Sequence, residues 1–219
     1  MRKNVKKQLA LRVLSTAALV AMVSSIATAA FAAEYDVTKG SVDILAEGGK
    51  QYITQWKDES KSTYATDDNG EIKKRQDDDI TLTTKDETTG KTETTSNTVT
   101  ITAEKDNTAN VTLQDVNIQK DEWDNKSAAM TIKGEGDTEI ELNGDNTLIS
   151  GHYHAGLEKA DDVSHGSLTI KDDLNNDNRT EKEKDESGYS TGGDTGTLIA
   201  AGGYDGAGIG GRKKKDGEE

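Results

Sequence analysis

The 219 residues contain no cysteine and no proline, and only one phenylalanine. Without cysteine there is no disulfide framework, no thiolate metal site and no thiol nucleophile. Attachment of a lipid to an N-terminal cysteine is excluded for the same reason, and without proline so is a proline-containing cell-wall sorting motif. Basic charge is also scarce, at 27 Lys+Arg against 41 Asp+Glu. Five of the basic residues (Arg2, Lys3, Lys6, Lys7, Arg12) fall in the first 33 positions, which hold no acid, so positions 34–219 carry 22 against 41, a net of −19. Such a chain does not bind nucleic acid through a basic surface, because phosphate contacts supply most of that affinity. Large aliphatics are few as well. Leu, Ile, Val and Phe make up only about 15% of positions 34–219, a share typical of disordered chains. The chain is therefore either unfolded over much of its length or folded in a way that needs little apolar area per residue.

What is present begins with an export pattern. Met1–Arg12 is basic, Val13–Ile26 is uncharged, and Ala30-Phe31-Ala32 offers small residues where a signal peptidase reads them. Residues 1–32 are expected to be a cleaved signal peptide, rather than a retained anchor of similar length. No second run of spanning length follows, so no membrane association is expected after cleavage.

Beyond the leader, short segments alternate aliphatic and polar residues: Val42–Ile44, Ile80–Leu82, Val99–Ala103, Val111–Leu113, Met130–Ile132, Ile140–Leu142 and Leu168–Ile170. Thr and β-branched residues suit a pleated surface, and period two reads as strand with one buried face. Val111 and Leu113 share one face, as do Val116 and Ile118. The offset between the pairs is odd, so one straight strand cannot bury all four. The chain must bend near Gln114-Asp115. Gly134-Glu135-Gly136-Asp137 and Asn143-Gly144-Asp145-Asn146 mark two further corners. Short strands joined by corners suit a chain wound around a narrow core, each layer covering the next. Val111, Met130, Ile149 and Leu168 are evenly spaced along the sequence, near the short end of the periods that mark wound chains, and are expected to stack. An antiparallel sandwich would also accommodate short strands and turns. Lys57–Asp79, Thr84–Ser96 and Asp172–Asp194 read as polar loops or inserts, Gln51–Ser60 as a short helix or capping strand, and 212–219 as a charged tail.

The order of these motifs resembles the carbohydrate-binding, pectate-lyase-like surface proteins of Gram-positive bacteria. The resemblance rests on Glu34–Thr38 with Val42-Asp43-Ile44, Thr98–Ile101, Ala109–Ile118, Leu142–Leu148, Ala155-Gly156-Leu157, Gly166–Ile170 and Gly206–Gly211. It implies an all-β fold, a right-handed parallel β-helix (solenoid) over residues 33–211 with polar inserts near 57–96 and 172–194. In that family the Ala-Gly-Ile-Gly-Gly element recurs with more coils after it. Here it occurs once, at Ala207–Gly211, which implies a truncated member. The resemblance raises calcium as a candidate ligand and assigns no residue to it.

Several local patterns are candidate sites. Gly206–Gly211 fits G-x-G-x-x-G, but a dinucleotide site needs a following helix, which the charged tail does not form; tight corners are the simpler reading. His152 and His154 would share a face if they stood on a strand, as metal ligands do; a polar turn after Ser150-Gly151 is preferred. Asp77-Asp78-Asp79, Asp161-Asp162 and Asp172-Asp173 supply oxygen ligands without calcium-loop spacing, so the metal, if any, stays unassigned. The Arg/Pro signature of pectate lyases is absent, and Arg75, Arg179 and Arg212 all fall in loop or tail. Sugar binding favours exposed aromatic rings, and Trp56, Trp123, Tyr153 and Tyr204 are the candidates. Trp123 and Tyr153 are selected as carbohydrate-binding residues. The expected function is that of a secreted or loosely surface-associated, non-enzymatic, adhesin-like protein whose partner is a glycan surface. A polysaccharide-lyase-like enzyme, a purely structural surface protein and a non-functional fragment remain alternatives.

Overall fold

The computed structural model describes residues 33–58, 60–123, 127–160, 166–172 and 196–211. The expected signal peptide, the charged tail and most of the 172–194 insert lie outside them, as do Asp161, Asp162, Asp173, Arg179 and Arg212.

The described chain is all-β. It runs from β1 (Ala33–Asp36) through a single 3-10 turn, Val37–Lys39, to β2 (Ser41–Glu47), then β3 (Lys50–Trp56), β4 (Thr66–Asp67), β5 (Gly70–Glu71) and β6 (Arg75–Gln76). β7 (Ile80–Thr83) and β8 (Val99–Ala103) follow, then β9 (Thr108–Gln114), β10 (Asn117–Gln119) and β11 (Met130–Lys133). β12 (Asp137–Asn143), β13 (Asp145–Ile149) and β14 (Leu157–Lys159) come next, and last β15 (Leu168–Lys171), β16 (Thr197–Ala201) and β17 (Ile209–Gly210).

Apart from the β4–β5 hairpin, these strands form three largely parallel sheets, and from β9 onward the chain visits them in a fixed order. The first is β1-β7-β9-β12-β15 and the second β10-β13-β16; the third runs β17-β14-β11-β8-β2 and continues antiparallel into β3 and β6. Like residues meet across each ladder. Ile80, Val111, Ile140 and Ile170 are successive partners in the first sheet, beside Leu82, Leu113 and Leu142. Val42, Val99, Met130 and Leu157 form a row in the third, beside Ile44, Ile101 and Ile132. Ile118 meets Leu148 in the second. All these side chains except Ile170 are buried. Two or three per strand suffice because each is flanked by its partner on the neighbouring parallel strand, and that is how a chain so poor in aliphatics sustains a core.

The even spacing from Val111 to Leu168 is not the stacking period. Partners in the first sheet, such as Ile80, Val111, Ile140 and Ile170, recur at intervals of about 30 residues. Val111 and Leu168 lie in the first sheet, Met130 in the third and Ile149 in the second, so the four do not form one row. The three expected corners are where the pattern put them. Asp115 has φ +53° and separates β9 from β10, and Val111, Leu113, Val116 and Ile118 are all buried. Gly144 (φ +62°) separates β12 from β13. Gly134, at φ +90°, comes so close to the neighbouring circuit that a Cβ would sit 1.9 Å from the Ala103 carbonyl oxygen. Only glycine fits there.

Residues 57–79 are not the featureless insert the composition suggested. β3, the strand alternative for Gln51–Ser60, pairs with β2 along its whole length. Together with the β4–β5 hairpin and β6 it covers the first circuit, burying Ile53, Ala65 and Ile72. Buried amides fasten this cover. The Gln51 side chain exchanges two 2.8 Å hydrogen bonds with the Asn110 backbone, and Gln55 Nε2 donates to the Asp36 and Gly40 carbonyls. Thr84–Ser96 is irregular, held by the bridges Lys85↔Thr92 and Thr95↔Ile118.

At the edge of the cover, Asp58 accepts hydrogen bonds from the Ser60 hydroxyl and from the Ser62 and Thr63 N–H groups, the latter two at 3.1 and 3.0 Å. The Ser60 hydroxyl first, then the Ser62 N–H, hold the Asp58 carboxyl down at about 2 from an ordinary 3.8. A depressed folded pKa contributes order that is present above the unfolded value and lost as pH falls through the folded one. The loop that follows β3 should therefore become protease-sensitive between roughly pH 4 and pH 2. Asp58→Ala should be equally sensitive at every pH; limited proteolysis across the acid range checks both.

Candidate functional site

Three times the chain leaves the second sheet and then enters the third, and after each exit it carries an aromatic side chain. After β10 comes Trp123, whose N–H donates to Asp121 Oδ1 at 2.9 Å. After β13 come His152 and Tyr153, and after β16 comes Tyr204. Backbone hydrogen bonds lock one turn to the next: His152 N–H to the Glu122 carbonyl at 3.1 Å, and Tyr153 N–H to the Tyr204 carbonyl at 3.0 Å. The turns approach closely enough that a Cβ on Gly203 would lie 2.2 Å from the Gly151 carbonyl carbon.

The rings consequently form a ladder centred on His152. Its imidazole lies 5.4 Å from the Trp123 ring, 4.3 Å from Tyr153 and 5.1 Å from Tyr204, centroid to centroid. The Trp123 and Tyr204 spacings are in the range of attractive aromatic pairs, and the Tyr153 ring packs closer still. Trp123 and Tyr204 remain 73% and 65% exposed, the two most exposed large apolar side chains among the described residues. Tyr153 has φ +67°, a backbone conformation that costs energy for an aromatic residue and is concentrated at functional turns. The two selected residues, Trp123 and Tyr153, thus fall in one cluster and both touch His152. Tyr204, a weaker candidate, joins them.

Beneath the ladder the turn is fixed by buried polar groups. Ser150 Oγ accepts from Ala129 N–H and donates to the Ala155 carbonyl, each at 2.7 Å. His154 points inward, with Nδ1 2.7 Å from Glu158 Oε2 and both side chains almost wholly buried. The two histidines of the H-x-H sequence therefore occupy a turn and serve different environments. No group of three or more metal-ligating side chains occurs among the described residues.

The other candidates are occupied structurally. Trp56 stacks on Tyr64 at 4.6 Å and donates its indole N–H to Asp43 at 2.8 Å, within the cover. Asp77 accepts from the Tyr35 hydroxyl and Asp78 from Gln51 N–H. Arg75 forks onto Asp67. Gly206–Gly211 runs from the Tyr204 turn through β17, with Gly206 N–H bonded to the Gly203 carbonyl, as a tight corner should be. An open groove of about 590 Å³ where the chain passes from the third sheet to the first is lined by Lys105, Asp106, Asn107, Glu135 and Asp137 and holds no aromatic ring.

His152 was legible only as a candidate metal ligand. The signal that places it on the ladder is its separation from Trp123, which equals one circuit of the stack. No protein-family model matches the chain, and comparison with curated proteins and with solved structures gave no match either.

Proposed function

We propose that the chain is an exported, non-enzymatic carbohydrate-binding protein of the adhesin-like kind, built as a right-handed parallel β-helix, with the Trp123–His152–Tyr153–Tyr204 ladder as its glycan platform. Three parallel sheets visited in the same order three times from β9 onward support the winding. Right-handedness follows from the near-universal hand of parallel crossover connections. The basic, then uncharged, leader ending at Ala30-Phe31-Ala32 supports export to the cell surface or medium. The resemblance to Gram-positive carbohydrate-binding β-helix proteins points the same way.

The observation that carries the binding assignment is the exposure of Trp123 and Tyr204 on either side of one imidazole. A soluble surface rarely gathers large rings in one patch open to water unless they meet a partner. Sugar rings present flat C–H faces that pack on such platforms, and no titrating or nucleophilic group is needed for that role. Trp123→Ala and Tyr204→Ala should each weaken glycan binding about tenfold, the loss of one ring contact. Their melting temperatures should stay within a few degrees of the parent, since exposed side chains contribute little to stability. A glycan array probed with the parent and the double variant checks this. Binding that survives in the double variant would remove the platform, and a blank array for the parent would favour a purely structural surface protein.

A further inference from the structure

Resting on the carbohydrate reading above, we infer that the ladder takes a linear chain of amino sugars laid along the stacking direction, one sugar per circuit. The geometry sets the orientation. Neighbouring strands in a sheet are spaced about 4.8 Å apart. The Trp123–His152 and His152–Tyr204 centroids, contributed by successive circuits, are separated by 5.4 and 5.1 Å. An extended glycan advances by a similar length per sugar ring, so a chain running with the stack meets a new aromatic ring at each unit. A chain running across it, or a single terminal sugar, meets one circuit only. The backbone bonds from His152 to Glu122 and from Tyr153 to Tyr204 hold the three turns at this pitch before any ligand arrives, which lowers the ordering cost of binding.

Charge sets the chemical class. Asp121 and Glu122 share the turn of Trp123, and Asp205 follows Tyr204; all three are exposed. The described residues of the three turns, 121–123, 150–155 and 203–206, include no Lys or Arg. Lys120, just before the first turn, sends its ammonium away to the Ser96 carbonyl at 3.0 Å. Aromatic faces carry negative electrostatic potential and attract ammonium groups. The surrounding field, from 41 acidic residues against 27 basic ones, attracts cations and repels polyanions. A polyuronate would meet repulsion at every unit, and a neutral glycan would gain stacking alone. A chain bearing an ammonium group on each ring gains both.

The test titrates the full chain, by tryptophan fluorescence and calorimetry at low ionic strength, with protonated glucosamine as one, two and four β-linked units. The same lengths of N-acetylglucosamine and a galacturonate tetramer are run beside them. The glucosamine tetramer should bind at least about tenfold tighter than the monomer and about tenfold tighter than its acetylated counterpart, with no galacturonate binding. Neutralising the turns with Glu122→Gln and Asp205→Asn, which leaves the Asp121 bond to the Trp123 N–H in place, should bring the two tetramers to equal affinity while leaving the acetylated one unchanged. Equal affinity of both tetramers for the parent protein, or a preference for galacturonate, would overturn the amino-sugar assignment and leave the carbohydrate reading standing. A monomer that binds as tightly as the tetramer would overturn the axial placement. Failure of the parent to bind any sugar on a broad array would overturn the carbohydrate reading itself, and this inference with it.

Discussion

Leu113→Ala should cost about 3 kcal/mol of unfolding free energy, the middle of the range for a buried leucine that leaves a cavity. Leu113 is completely buried in β9 and is the ladder partner of Leu82 on one side and Leu142 on the other. Main-chain hydrogen bonds fix the strand separation on both sides, so the neighbours cannot collapse into the space. A chain of this size has total stability on the order of 10 kcal/mol, and a third of it would vanish with one side chain. Thr112→Ala, one residue away on the outward face, should change stability by less than about 0.5 kcal/mol. Urea unfolding curves for the pair settle the matter through their midpoints at common slope. A loss below about 1 kcal/mol for Leu113→Ala would mean the aliphatic rows do not bear the fold.

Asn146→Ala should be nearly as damaging for a different reason. This side chain is 1% exposed and sits where the first sheet turns into the second. Its Oδ1 accepts from Val116 N–H at 3.0 Å, while Nδ2 donates to the Asn143, Gly144 and Thr197 carbonyls at 3.0, 3.4 and 3.1 Å. One amide thus satisfies backbone groups of three consecutive circuits. Truncation strands a buried donor and leaves the carbonyls short of a partner, a loss of about 2–3 kcal/mol. Asn146→Asp should not rescue it, because the carboxylate restores the acceptor, removes both donors and buries a charge. Hydrogen exchange gives the residue-level check. The Val116 amide should lose protection well before Ile101, whose circuit is untouched; equal loss at both would mean the effect is global.

Much of this architecture was written in local pattern. The seven alternating segments all became strands, and the odd offset between Val111/Leu113 and Val116/Ile118 located a corner that Asp115 makes with a positive φ. The even spacing of Val111, Met130, Ile149 and Leu168 misled for a geometric reason. Each step is about two thirds of a circuit, so it lands on another of the three sheets and returns to the first at Leu168. Local alternation reports which face is buried and nothing about which strand lies alongside. β3 was left open because its inward positions include Gln51 and Gln55, whose burial is made tolerable by the backbone groups they bond, partners distant in sequence. β14, β16 and β17 are short or rich in Ala and Gly, with too few aliphatics for periodicity to show. At the platform, residue type alone selected Trp123 and Tyr153. Their meeting with His152 and Tyr204 depends on the true circuit length, which the spacing argument had wrong.

The cover made by β3 to β6 lies against β2, close to the start of the described residues. A growing polypeptide can therefore pair β2, β3 and β6 before the later strands exist, and the Gln51 bonds to Asn110 close once β9 arrives. The free edge of β2 then receives β8, and β11, β14 and β17 add one after another in the order of their synthesis, which leaves little opportunity for strands to pair out of sequence.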